Sequence, residues 1–386
     1  MRSRAKYRLP RSQRGQFSRL PWLLVLAGLV VLVWTWWHRG QPTTPAPRPK
    51  APVSAPGTQA VVQPKPAPRK AQPQAPPSVV PIPLPRPITK PSPELPAPGV
   101  FPRPVQNVFE AQVALARQGI SSGSLDGAIG PQTRAGLRAF QQKEHLAVTG
   151  ELDAATKEQL LLSTPPYTDY TVSANDLARL QPLSRTWLGK SQQTALDFET
   201  ILELVAEKGH AHPNLVRRLN PSIDWTNVAA GTTVQLPDVA YGDASSKAAF
   251  ATISLGGKVL EAFDANTNLL AHFPCSIAQH VQKRPVGELH VAVIAPNPNY
   301  TFDPDIFPES DEGRQLQRKL VLPPGPNNPV GVAWIGLDKP GYGIHGTPSP
   351  EQVGRTESHG CFRLANWNAE FLVTLVWVGM PVYVEP

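Results

Sequence analysis

GIHGTPSPEQVGRTESHGCFRL, residues 343–364, gathers two histidines and one of the chain's two cysteines into a loop rich in Gly and Ser. Cys361 lies two residues after His359 and sixteen after His345. Taken singly, a cysteine of this kind is a small buried residue and each histidine merely polar. Together, ahead of a helix, they suit nucleophilic catalysis. A thiol at the positive end of a helix dipole is expected to ionise more readily. A histidine reaching over from a neighbouring strand takes the thiol proton and later returns it to a leaving amine. Gly360 removes bulk beside the sulfur, so backbone N–H groups at 359–361 are expected to face a tetrahedral oxyanion.

The surrounding texture predicts a mostly-β domain over 248–386. Ala249–Leu255 and Lys258–Asp264 read as strands joined by a two-residue Gly256-Gly257 turn. Further strands are predicted at Leu289–Ala295, Val330–Leu337 and Val382–Glu385. One helix is predicted from Asn366 to Val378, with Trp367, Phe371, Leu375 and Val378 on one side.

On these residues the domain resembles the L,D-transpeptidase catalytic domain of the YkuD type. The family pattern is a His-Gly pair, a short variable loop, then Ser-His-Gly-Cys with Arg or Asn two residues on. It stands here as His345-Gly346, Ser358-His359-Gly360-Cys361 and Arg363. Pro296–Tyr300, Leu322–Gly331 and the terminal strand after Gly379 also look like the family, while the loop from His345 to Ser358 is short for it. The resemblance implies that Cys361 attacks the carbonyl of the third residue of a peptidoglycan tetrapeptide stem, usually meso-diaminopimelate, with loss of D-Ala. His345 is then the proton donor and acceptor, oriented by a backbone carbonyl near Gly346. His359 and Gly360 shape the oxyanion site, and Arg363 holds a substrate carboxylate in bidentate fashion. Gly346, Ser358 and Tyr342 complete the expected substrate-binding set. A side-chain amine resolves the thioester into a 3→3 cross-link, with no cofactor and no metal required.

Two smaller modules precede this domain. Residues 105–164 read as three short helices. The first, Val108 to Gln118, places Val108, Ala111, Leu115 and Ala116 on one face; Asp126-Gly127 marks a turn, Pro131 opens the second helix, and Asp153 caps the third. With Gly130, Thr133, Phe140-Gln141, Gly150 and Thr156, this segment resembles the type-1 peptidoglycan-binding domain, although each of these residues also suits a turn, cap or core. Residues 168–240 look like a LysM sugar-binding module lengthened by an insert near Gln181–Asp197. Its helix around Ile201, Leu204 and Val205 and its strand around Val234 and Leu236 equally fit any small α+β unit.

The first 104 residues hold 16 Lys and Arg against one acid, Glu94, leaving 21 basic and 28 acidic residues for the rest. The basic excess is therefore N-terminal, which argues against a nucleic-acid partner for the folded part. Seven basic residues lie in segment 1–19, before the uncharged run Leu20–Trp37, about the minimum length for one membrane-crossing helix. Tryptophans 34, 36 and 37 at its far end and the basic flank predict an uncleaved single-pass anchor with the remainder outside the cytoplasm. A cleaved signal peptide is the alternative, and the bulky tryptophans stand where a small-residue cleavage site would be needed. Segment 38–104 is a tether with 22 prolines between Gln41 and Pro104; it is expected to run as polyproline II, roughly 3.1 Å per residue, or as plain disorder. The expected place is thus the bacterial cytoplasmic membrane, with the catalytic domain in the periplasm or cell wall.

Two cysteines exclude a disulfide framework. Cys275 reads as a buried small residue, its rival role being a regulatory disulfide with Cys361. Hydrolysis by the same site, an inert wall-binding scaffold, and a zinc amidase built on His290, His345, His359 and Cys361 are the other functions weighed. The last lacks an HExxH-like helix.

Overall fold

The computed structural model describes residues 99–386 apart from 240, 242–245, 307–309, 357 and 359. The expected anchor and nearly all of the tether lie outside these residues. Among the described residues no helix is long and apolar enough to cross a membrane.

The first module begins two residues earlier than expected, because strand β1 (Arg103–Pro104) pairs with β2 (Leu161–Leu162). Between them lie helices α1 (Val108–Arg117), α2 (Pro131–Lys143) and α3 (Ala154–Gln159). Asn107 caps α1, Pro131 opens α2, and Asp153 accepts the Thr156 N–H at the start of α3. Two buried glutamines staple the loops. Gln112 on α1 donates to Asp126 and Thr133 and accepts from the Gly127 N–H, while Gln141 on α2 donates to Thr149 and Thr156 and accepts from the Gly150 N–H. Gly127 and Gly150 both have φ above +70°, which a side chain resists. The motif residues of this module therefore hold its own loops in place.

The second module runs β3 (Tyr167–Thr171), α4 (Ala174–Ala178), α5 (Trp187–Ser191), α6 (Ile201–Lys208), α7 (Pro213–Leu219) and β4 (Thr233–Pro237), with β3 and β4 antiparallel. It does not stand apart from the first. Leu115, Leu137 and Phe140 share one apolar core with Leu204, Val205 and Leu236. The Arg117 guanidinium joins the two by bonds to Asp238 and to the carbonyls of Thr164 and Pro165.

The C-terminal domain carries an eight-stranded sheet built from β5 (Phe250–Ser254), β6 (Val259–Phe263), β7 (Leu269–Pro274), β8 (Gly287–Pro296), β11 (Ala333–Leu337), β12 (Gly343–His345), β13 (Phe362–Arg363) and β14 (Pro381–Glu385). Its order is β13-β12-β11-β8-β14-β5-β6-β7, and a separate hairpin pairs β9 (Tyr300–Phe302) with β10 (Leu320–Leu322). The long strand β8 serves two neighbours. Gly287–His290 pairs with β14, and Val291–Pro296 with β11. Alternate residues face the core, as the pleat requires: Ala251 and Ile253 on β5, Leu260 and Ala262 on β6, Val382 and Val384 on β14. Helix α9 (Asn366–Leu375) buries Trp367, Ala369, Leu372 and Leu375; α8 (Asp311–Leu316) lies in the connection between β9 and β10.

Three local expectations change. The β5–β6 connection spans four residues, because the Leu255 N–H donates to Glu385 and the Lys258 carbonyl accepts from Cys275. Strand β11 begins only at Ala333, after Gly331 turns with φ +62°. Helix α9 stops at Leu375, since Val376 is extended, and Val378 is exposed.

The small modules cover the far edge of the sheet. Ile120 pairs with His272 on edge strand β7, where Ser121 N–H donates to the His272 carbonyl and His272 N–H to the Gly119 carbonyl. Such cover removes an open edge that would otherwise template aggregation.

Candidate active site

Strands β12 and β13 run parallel, with Ile344 opposite Phe362 and His345 opposite Arg363. Side chains alternate along a strand. Ile344, Phe362 and Leu364 therefore enter the core, which leaves His345, Cys361 and Arg363 together on the other face. The predicted base and the predicted nucleophile thus lie on the same face of neighbouring strands.

His345 is buried, and its Nδ1 lies 2.6 Å from the Gly346 carbonyl oxygen. A carbonyl only accepts, so Nδ1 carries the proton and Nε2 keeps its lone pair. The Trp334 ring stacks beside the imidazole at 5.6 Å between centroids. Burial, helped by the Arg363 charge, holds the His345 pKa down to about 4 against the pull of the Gly346 carbonyl. The imidazole is neutral at ordinary pH.

The Cys361 thiol donates to the Gly341 carbonyl at 3.5 Å. Burial pushes its pKa up, and neither the backbone at Gly343 nor the Arg363 charge reverses that. This corrects the expectation of a dipole-activated thiolate. Four residues, the two of strand β13 and then Leu364 and Ala365, separate Cys361 from α9, so the thiol does not sit at the helix end. At rest the pair is neutral thiol and neutral imidazole.

The remaining expected residues divide. Arg363 sits on the site face, where Tyr300 on β9 feels both its charge and that of a Cys361 thiolate. Ser358 is buried and serves the loop. Its hydroxyl donates to the Cys361 carbonyl at 2.5 Å and accepts the Gly360 N–H at 3.3 Å. That moves Ser358 from substrate binding to support, and takes the Gly360 N–H away from the oxyanion site. No acceptor among the described residues takes the Cys361 N–H. Gly346 is likewise support: a Cβ there would lie 2.2 Å from Asn366 Oδ1, so only glycine fits under His345. Tyr342 packs against the core of this domain with the Lys339 ammonium 5.1 Å from the centre of its ring. His359 lies outside the described residues.

Two contributors escaped the sequence reading. Asn366, buried at the start of α9, accepts the Thr347 N–H and donates to the Pro326 carbonyl, fixing the loop that follows His345. Its place right after the Cys motif was the available signal. Tyr300 keeps its proton, with a pKa raised to about 12 by burial and by the nearby Cys361. It ends the Pro296–Tyr300 segment already singled out.

Cys275 is fully buried on the core side, bonded to the Ser276 carbonyl, and both cysteines are free. Ser276 pairs with Arg363, so Cys275 faces the core with Leu364 while Cys361 faces the site. That geometry separates them and removes the disulfide alternative. His290 is engaged by Asp338 and Glu288 on the surface, and no cluster of three or more His, Cys, Asp or Glu suited to a metal occurs among the described residues.

Residues 249–384 match the family model described as YkuD, L,D-transpeptidase catalytic domain. The C-terminal domain belongs to the L,D-transpeptidase family. By that match the domain is a cysteine-dependent acyltransferase. Residues 104–160 match the model described as "Putative peptidoglycan binding domain". The chain is 24% identical over 185 residues to the "Putative L,D-transpeptidase YkuD" of Bacillus licheniformis, covering 48% of this chain and 93% of that protein. It is 35% identical over 105 residues to the "Putative L,D-transpeptidase YqjB" of Bacillus subtilis, covering 26% and 51%. L,D-transpeptidase 3 of Mycobacterium tuberculosis overlays with a TM-score of 0.29 at 16% identity, covering 42% of this chain and 77% of that one.

For this L,D-transpeptidase domain the raised thiol pKa has a direct consequence. Alkylation of Cys361 by iodoacetamide is expected to rise with pH and to reach half-maximum above the ordinary free-thiol value of about 8.5. In Arg363→Gln the limb moves further alkaline, because a positive charge that favours the thiolate is gone, and the rate at pH 8 falls several-fold. Peptide mapping of labelled Cys361 against pH measures this. A plateau below pH 7 in the parent would instead demonstrate a thiolate–imidazolium pair.

Proposed function

We propose that the chain is a membrane-anchored peptidoglycan L,D-transpeptidase acting outside the cytoplasm. The observation that carries this is the parallel β12–β13 register, which sets His345, Cys361 and Arg363 on one face. The run 20–37 and the basic segment before it support the anchor, the Pro-rich stretch supports a tether, and the peptidoglycan-binding family match supports the wall as its place of work.

In this reading a tetrapeptide stem enters with a carboxylate against Arg363. Neutralising that guanidinium removes one of the two influences holding the His345 pKa down, so substrate itself strengthens the base. His345 Nε2 then takes the thiol proton as Sγ attacks the carbonyl carbon of the third residue. The developing oxyanion finds the Cys361 N–H and the protonated Tyr300 hydroxyl on its side of the site. Collapse breaks the bond to D-Ala, whose amine leaves with the proton from His345, and a thioester remains. An amine from the side chain of a second stem, or from an anchored protein, deprotonated by the same imidazole, attacks the thioester and restores the thiol. One amide is broken and one is made, so the sequence is self-contained in energy.

Incubating the full-length chain with a disaccharide-tetrapeptide and separating products by mass tests the reading. The expected products are D-Ala and a 3→3 linked dimer. Free tripeptide without dimer, at every amine concentration tried, would make the domain an L,D-carboxypeptidase. Neither product, with a folded chain, would leave the wall-binding scaffold.

A further inference from the structure

Residues 161–248 lie between the two matched spans, and one piece of this segment reaches the catalytic groove. The insert at 181–197 is clamped at several points. Glu312 on α8 accepts the N–H groups of Trp187 and Leu188, both at 2.7 Å, so a catalytic-domain carboxylate caps α5. The Trp187 ring stacks on Phe302 at 4.3 Å and stands 6.4 Å from Tyr300. Leu196 is fully buried in a small core with Phe302, Leu320 and Leu322, and its backbone bonds to Pro324 and Asn327.

Held this way, Trp187 and Lys190 form one side of a groove of about 460 Å³ whose lining also includes Ser276, Thr347, Gln352 and Arg363. Arg363 lines the groove and its charge also acts on the Cys361 thiol, which links the groove to the nucleophile. None of the described residues lining it is acidic, while two of them are cations. The Lys190 ammonium rests 5.8 Å from the centre of the Trp187 ring and forms no salt bridge among the described residues. A trough whose described lining carries two positive side chains and an aromatic wall suits a peptide bearing more than one carboxylate.

We propose that the insert 181–197 is a specificity wall of the donor groove, with Lys190 binding a second substrate carboxylate, the one on the side chain of the third stem residue, while Arg363 holds the first. This rests on the transpeptidase reading above and adds a subsite to it from outside the catalytic domain.

Two tetrapeptides that differ only in that side-chain group, free carboxylate or amide, discriminate. Their binding to the full-length Cys361→Ala chain is measured by calorimetry, alone and combined with Lys190→Ala or Lys190→Glu. With Lys190 present the free acid is expected to bind about tenfold tighter than the amide. Lys190→Ala brings the two together, and Lys190→Glu reverses their order. An unchanged acid-to-amide ratio in both variants overturns the subsite. Thioester formation by the chain with Cys361 intact is followed in parallel. A thioester with an unchanged ratio sinks the subsite alone, whereas no thioester with either peptide sinks the transpeptidase reading and the subsite with it.

Discussion

Cys361→Ala is expected to carry no acyl adduct after incubation with a tetrapeptide donor, while the parent gains the mass of the tripeptide moiety. The loss is complete, because no other group can stand in. Cys275, the second thiol, is fully buried, faces the core and has its pKa pushed far up by burial. The Ser358 hydroxyl, three residues away, is spent on the Cys361 carbonyl. Intact-mass spectrometry of both chains decides the matter, and near-ultraviolet circular dichroism confirms that the variant is folded. Replacing one half-buried thiol by a methyl group leaves the strand register untouched, so loss of fold is not expected. An adduct of equal yield on the variant would place the nucleophile elsewhere and remove the basis of the assignment.

His345→Gln is expected to slow acylation by about a thousandfold, the middle of the range for removing a positioned general base. Glutamine fills a similar space but cannot take a proton, and a resting thiol with a raised pKa needs one taken. The pH profile separates this from a structural effect. In the parent, His345 stays neutral until its pKa of about 4, so acylation should hold its rate between pH 7 and 5 and fall only as pH drops through that value. A base with an ordinary pKa of about 6.5 would already fail across that window. The glutamine variant has no such limb, and its residual rate follows thiolate formation alone, climbing with pH into the alkaline range. Stopped-flow or quenched acylation from pH 4 to 9 measures both profiles. A variant within tenfold of the parent and showing the same acid limb would transfer the base role to another group, with His359 first in line.

The grouping of Cys361, His345 and Arg363 on one face was legible because their residue types stand at short spacing. A Cys-Phe-Arg run beside an Ile-His pair also alternates polar and apolar, which is what sends the five side chains to two faces. What the sequence could not show is electrostatic sign. The dipole argument for Cys361 failed because a two-residue strand intervenes before Asn366, and burial then dominates the thiol. The roles of Ser358 and Gly346 were misassigned for a related reason: in a motif, a residue that touches substrate and one that props the loop look alike. Only the hydroxyl on the Cys361 carbonyl and the Asn366 oxygen under Gly346 tell them apart. Tyr300 and Asn366 come from segments 61 residues before and five after the nucleophile, and long-range pairing of that kind leaves no local pattern. The insert at 181–197 read as a departure from one module and turned out to pack on another.

Ile120 bridges to His272, and the two small modules share one core, so among the described residues the part that matches a wall-binding family is hydrogen-bonded to the edge of the sheet that carries the site. A swivelling handle would let one point of attachment serve a whole circle of neighbouring strands. A fixed one would work as a calliper: wherever the handle took hold, the sulfur would meet a single address at a set offset, which is what the contact at His272 favours.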